Sequence, residues 1–135
     1  MRIVSEDEKR IVDVGTSDLF FSLYSTVIVR INNAKNEMPL AIEFLHKGEC
    51  PYEKAQATAR QINLIRDALA SIPLEQIVYD YSDRTKVAPW EGNVSPVITS
   101  AGNFYITADG KDLLFEIASI LVYADITKQF VRICP

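Results

Sequence analysis

The sequence predicts an α+β fold: about four helices packed on a small, mostly antiparallel sheet, in a single domain over residues 1–135. Three observations predict it. Ala55–Ile72 and Leu113–Ala124 each repeat apolar residues at spacings of three and four, as helices with one buried face do. Short β-type runs lie near both ends, at Arg2–Val4, Arg10–Val14 and Gln129–Ile133. The 135 residues, 48% hydrophobic and 24% charged, suffice for one core without disulfides or metal and are too apolar for disorder.

Taken in order, Arg2–Val4 and Arg10–Val14 flank the acidic Glu6-Asp7-Glu8, which suits a hairpin turn. Ser17 and Asp18 are residues that favour a helix N-cap, and Leu19, Phe20, Leu23 and Val27 follow at helical spacing. The β-branched and aliphatic run from Thr26 through Ile31 then turns the expectation toward strand. Pro39 suits the first turn of a short helix ending before Gly48, with Met38, Ala41, Ile42 and Leu45 as its buried stripe. The clearest helix follows Cys50-Pro51 and buries Ala55, Ala59, Ile62, Ile65, Leu69 and Ile72, with Glu53, Lys54, Arg60, Asn63 and Asp67 on its solvated face. Pro73 stops it. Gln76–Tyr81 reads as a strand with Ile77 and Tyr79 on one face. Ser82–Pro96 is loop, Phe104–Thr107 a short strand, and Asp109-Gly110 a turn. Leu113, Leu114, Ile117, Ile120, Leu121 and Ala124 mark the second firm helix, with Asp109 and Asp112 suited to the positive end of its dipole. Gln129–Ile133 closes the chain as a strand.

Composition narrows the function classes. No apolar run approaches the roughly 20 residues of a membrane helix, and the N-terminus turns acidic where a secretory leader needs an apolar stretch. A cytoplasmic protein is expected. Cys50 and Cys134 fit no zinc spacing, so two reduced thiols are expected, with one long-range bridge as the alternative. Residues 1–66 carry nine acidic and nine basic side chains, whereas residues 67–125 carry nine acidic against three basic. That stretch repels phosphate backbones, which argues against direct nucleic-acid binding, and attracts a basic protein.

Chemistry-bearing motifs are scarce. The one histidine, His46, sits where a helix C-terminus favours a polar or positive side chain, and neither cysteine lies in a nucleophile motif. The five glycines form no phosphate loop, and Asp109-Gly110-Lys111-Asp112 lacks the ligand spacing of a calcium loop. No catalytic residue, metal or cofactor is expected. The rival reading is a small enzyme or ligand-binding domain using the carboxylates near Asp80 or Asp109, which would need a concave pocket and perturbed acids.

One segment stands apart. Ala88–Ser100 holds the only tryptophan, Trp90, between two prolines. Trp90 and Glu91, with Tyr79, Asp80, Tyr81 and Asp83, would make an aromatic–acidic contact patch; the alternative is that Trp90 folds back as a lid on the core.

The same segment resembles a known family. Pro89-Trp90, Gly92, Asn93-Val94-Ser95-Pro96 and Ile98-Thr99-Ser100, continuing through Asn103-Phe104-Tyr105-Ile106-Thr107-Ala108-Asp109-Gly110-Lys111-Asp112-Leu113, is similar to an immunity-protein family (family seventy) of bacterial polymorphic-toxin systems, contact-dependent growth inhibition loci among them. Asp18-Leu19-Phe20-Phe21-Ser22 with Ser25-Thr26-Val27, and Ile72-Pro73 with Val78-Tyr79-Asp80, echo earlier parts of the family pattern. Ala88 stands where the family has a second proline, and Glu91 displaces its glycine to Gly92. The resemblance implies a protein that binds and neutralises a cognate toxin C-terminal domain, often a nuclease and therefore basic, with no cofactor and no turnover.

Overall fold

The computed structural model describes residues 1–135. The hairpin forms as the sequence predicts: β1 (Arg2–Ser5) pairs antiparallel with β2 (Ile11–Asp13). The turn is closed by side chains, because Ser5 Oγ donates to Asp7 Oδ1 at 2.7 Å and Lys9 N donates to the same carboxylate oxygen at 3.0 Å. After the turn come α1 (Ser17–Arg30), the single-turn α2 (Ala34–Glu37) and α3 (Pro39–Lys47). Pro39 stands in the first turn of α3, and Gly48, at φ +80°, ends it in the left-handed conformation that glycine adopts without steric cost. The first amides of α3 have no intrahelical acceptor, and Gln61 supplies one: its Oε1 accepts from Leu40 N at 2.8 Å and Ala41 N at 3.1 Å. β3 (Glu49–Cys50) is a two-residue strand that the sequence reading did not anticipate.

α4 (Tyr52–Leu69) and α5 (Leu113–Thr127) are the two firm helices. Asp112 caps α5, its Oδ1 accepting from Phe115 N at 3.1 Å, while its other oxygen meets Arg66 of α4 at 3.0 Å. β4 (Val131–Cys134) ends the chain. It pairs with β1 and β3, so the sheet runs β2-β1-β4-β3 with every pair antiparallel. One continuous core joins the inner faces of sheet and helices; Ile3, Leu23, Ile62, Ile65, Leu69, Leu113, Ile117 and Leu121 are fully buried there. Burial of such side chains, about 1.5–3 kcal/mol each, is what holds the layers together. The α+β class, the helices and the antiparallel sheet agree with the sequence reading.

Three local expectations fail, each for a tertiary reason. α1 does not give way to strand near Thr26 but continues to Arg30. The β-branched residues cost a few tenths of a kcal/mol each in a helix. That cost is outweighed because Val27 is buried and Thr26 bonds to a neighbouring segment. Gln76–Tyr81 is not a strand: a 3-10 turn (Leu74–Gln76) leads into an extended segment with no β partner. Its alternation survives in the opposite phase, with Val78 and Asp80 buried and Ile77 and Tyr79 half-buried. Phe104–Thr107 is also not a strand. It forms a tight loop into α5, with Thr107 N donating to Lys111 O at 2.7 Å and Leu113 N to Tyr105 O at 3.1 Å.

Candidate functional site

The extended segment Ile77–Tyr81 owes its position to α1. Ser22, Ser25 and Thr26 are fully buried polar residues on one face of that helix. Thr26 Oγ1 accepts from Val78 N at 2.9 Å, Ser22 Oγ donates to Val78 O at 2.7 Å, and Ser25 Oγ accepts from Tyr81 N at 3.1 Å. The backbone groups that a neighbouring strand would satisfy are thus satisfied by helix side chains. Tyr105, from the loop before α5, closes the cluster. Its hydroxyl lies 3.0 Å from Ser22 Oγ and 2.8 Å from Thr26 Oγ1, and burial pushes its pKa up to about 12.

From Asp80 the chain turns outward. Asp80 Oδ1 accepts from Ser82 N at 2.8 Å, Ser82 Oγ at 2.6 Å and Asp83 N at 3.2 Å, while Oδ2 meets Lys86 Nζ at 3.1 Å. The Ser82 hydroxyl first, then the Ser82 amide and Lys86, hold this carboxyl down at about 2 against the opposing effect of desolvation. Asp80 is therefore an internal brace, 7% exposed. Asp83 caps its own turn through Thr85, whose hydroxyl and amide hold its pKa low.

The six predicted side chains lie along one ridge of chain, the segment Tyr79–Glu91, but not at one hollow: Tyr79, Asp80, Asp83, Trp90 and Glu91 line one, and Tyr81 lines a second with Tyr79 and Asp80. Tyr81 and Glu91 face solvent. Asp83 is half-exposed, and Tyr79 is half-buried with its hydroxyl donating to Asp18 Oδ1 at 3.0 Å. Trp90 folds back. Its ring meets Tyr79 edge-on at 5.5 Å and Phe104 at 5.2 Å, and Phe104 meets Tyr105 at 4.9 Å, so an aromatic chain runs from the surface to the buried hydroxyl cluster. Trp90 serves as the lid that pins the long loop. The turn after it closes from Asn93 N to Trp90 O at 2.8 Å, with Gly92 inside.

Two hollows meet at the ridge and share Tyr79, Asp80 and Lys86 as lining. One, of about 380 Å³, lies between Leu74, Ile77, Trp90 and Val94 and is rimmed by Glu75, Asp80, Asp83 and Glu91 against Arg84 and Lys86. The other, of about 620 Å³, lies between the ridge, α1 and α3. It contains an aromatic group absent from the sequence-based site. Phe21 and Tyr24 each sit 5.7 Å from Tyr81 between ring centroids, and Tyr24 stacks on His46 at 5.3 Å. A signal for it existed in the sequence: Phe21 and Tyr24, three apart, lie off the stripe of Phe20, Leu23 and Val27.

Asp80, Asp83 and Asp109 are all held ionised by neighbouring hydroxyls, Thr107 in the case of Asp109, whereas a general acid needs a raised pKa. No three His, Cys, Asp or Glu side chains converge as metal ligands. Cys50 and Cys134 are free, and burial pushes the Cys50 thiol up. No helix is long and apolar enough to cross a membrane. The segment Tyr79–Glu91 sets aromatic and acidic groups around two hollows, a surface suited to contact with another macromolecule.

A family model described as Immunity protein 70 matches residues 6–133 of the chain. No curated protein and no solved structure matches it.

Proposed function

Because the chain belongs to the Immunity protein 70 family, we propose that it binds a cognate bacterial toxin domain through the Tyr79–Glu91 ridge and neutralises it without turnover. The observation that carries this reading is the anchoring of Val78 and Tyr81 by the buried hydroxyls of α1. A contact surface fixed before the partner arrives loses less conformational entropy on binding. Tyr81, Asp83 and Glu91 are the contact groups of this proposal, with Phe21 and Tyr24 extending the patch; Tyr79, Asp80 and Trp90 hold them in place.

The rim acids suit a basic target. A nuclease domain of a polymorphic-toxin or contact-dependent inhibition system fits, since its phosphate-binding surface carries positive charge. The encounter takes place in the cytoplasm of the producing cell. The test is co-expression with the toxin-like C-terminal domain encoded beside the gene, read by co-purification and by growth. A stable complex that restores growth supports the role. Tyr81→Ala, Asp83→Lys and Glu91→Lys each weaken the complex roughly tenfold or more if the ridge is the contact. Full affinity in all three moves the contact elsewhere. No complex and no rescue, with both proteins folded, overturns the neutralising role itself.

A further inference from the structure

α5 carries more apolar surface than the monomer uses. From Leu113 to Ile126 its exposed positions are Phe115, Ser119, Val122 and Ile126, and every other residue is buried or half-buried. Phe115 is 52%, Val122 44% and Ile126 74% exposed. At 100° per residue the four positions fall within an arc of about 60°. Beside them, Ile11 of the edge strand β2 is also exposed, and a groove of about 520 Å³ opens between β2 and α5, floored by Ile11, Val122 and Ile126. A helix that is apolar on nearly every side is ordinarily covered on every side, and a contiguous exposed apolar patch marks a contact.

The pattern of the stripe fits a second copy of the same helix. The spacings from Phe115 to Ser119, Val122 and Ile126 are four, three and four, the same read in either direction. Such a stripe is self-complementary when two copies of α5 pack antiparallel. Phe115 of each copy then meets Ile126 of the other beside the β2–α5 groove, and the small Ser119 meets Val122 and lets the helices approach. The flanks agree in charge. Arg10 lies 4.9 Å over the Tyr123 ring on one side of the stripe, and Arg66 lies 5.6 Å over Phe115 on the other. Antiparallel pairing brings Glu116 of one copy beside Tyr123 and Arg10 of the other, and Asp125 beside the other copy's Arg66.

We propose that the α5 face is the interface of a two-fold symmetric dimer of this chain. It shares no residue with either hollow beside the Tyr79–Glu91 ridge, so the proposal is independent of toxin binding and a dimer presents two ridges. The test is sedimentation equilibrium on the full chain up to millimolar concentration. The expected mass is twice the 15.2 kDa of one chain. Val122→Asp and Ile126→Asp, both at exposed positions, give monomers with unchanged circular dichroism. In a Cys134→Ser background, a Ser119→Cys chain mixed with a Val122→Cys chain and oxidised with diamide forms a mixed disulfide that fixes the antiparallel register. A wild-type monomer across the range, or dimers retained in both aspartate variants, overturns the proposal. A monomer whose affinity for the toxin domain falls on Val122→Asp assigns the face to the toxin instead and also overturns it.

Discussion

The hydroxyl of Thr26 is the sole hydrogen-bond acceptor that α1 offers to the buried amide of Val78, at 2.9 Å. Replacing it with the isosteric valine leaves that amide unsatisfied, a cost of about 1–3 kcal/mol. Tyr105→Phe removes a hydroxyl whose neighbours Ser22 and Thr26 still reach Val78 O, so it costs less, about 1 kcal/mol. Urea unfolding of Thr26→Val and Tyr105→Phe checks this order, and a neutral Thr26→Val contradicts the role given to the cluster. Asp80 makes a second residue-scale prediction. Its folded pKa of about 2 lies below the roughly 3.9 of an unfolded aspartate. Between those values the unfolded chain binds a proton that the folded chain does not. Asp80 thus contributes stability that is fully present above about pH 4 and is lost as pH falls toward 2. Asp80→Asn removes this contribution. Denaturation midpoints of the two proteins measured against pH should converge on acidification through that window, and a constant gap contradicts the assignment.

Among the elements, the long loop from Ser82 to Ser100 is held in place at its end rather than by a sheet. A 3-10 turn, Ala101–Asn103, is capped by Ser100, and Asn103 Nδ2 donates to Val97 O at 3.0 Å. The turn docks just beyond the C-terminal end of α4, where Ala101 N donates to Ile72 O at 2.9 Å. Gly102 is required by that docking, because a Cβ there would lie 2.8 Å from the Ala70 Cα. Gly102→Ala forces the turn off the helix, a cost of about 1–3 kcal/mol by the usual penalty for overpacking. Thermal unfolding measures it. Tryptophan fluorescence should shift with it, since Trp90 rests on Phe104, two residues beyond the glycine. Unaltered stability and emission would separate the loop from this anchor.

For the molecule as a whole, the charge is uneven: the formal net charge of −4 arises from residues 67 onward. Around the ridge, Glu75, Asp83 and Glu91 join the braced Asp80 against Arg84 and Lys86. Exposed charges of this kind act on encounter more than on the final contact. Association with a basic toxin domain is expected to slow by on the order of tenfold or more from low to high salt. Glu91→Lys should lower the association rate with a smaller change in dissociation. Stopped-flow measurement across ionic strength tests both, and a rate indifferent to salt removes the basic-partner argument.

What the sequence by itself determined follows from local periodicity and local chemistry. The stripes from Ala55 and at Leu113–Ala124, the hairpin around Glu6–Glu8, Pro39 and Gly48 as helix boundaries, and Asp112 at a helix start were legible there, although the first helix ends at Leu69, short of the Ile72 and Pro73 to which the sequence extends it. The sequence also nominated Tyr79, Asp80, Tyr81, Asp83, Trp90 and Glu91 as a contact patch. Only the tertiary structure decided which of these side chains face out. Asp80 turns inward because Ser82 and Lys86 satisfy it, and Trp90 folds down because Tyr79 and Phe104 receive it. The β-branched end of α1 and the strand-like Gln76–Tyr81 were misread for one shared reason. Each looks like a strand alone, but Thr26 and Val78, 52 residues apart, satisfy one another as helix and extended chain. Hydrogen-bond partners so distant in sequence leave no periodic trace, and the choice between ladder and side-chain anchor is made only when the two segments meet.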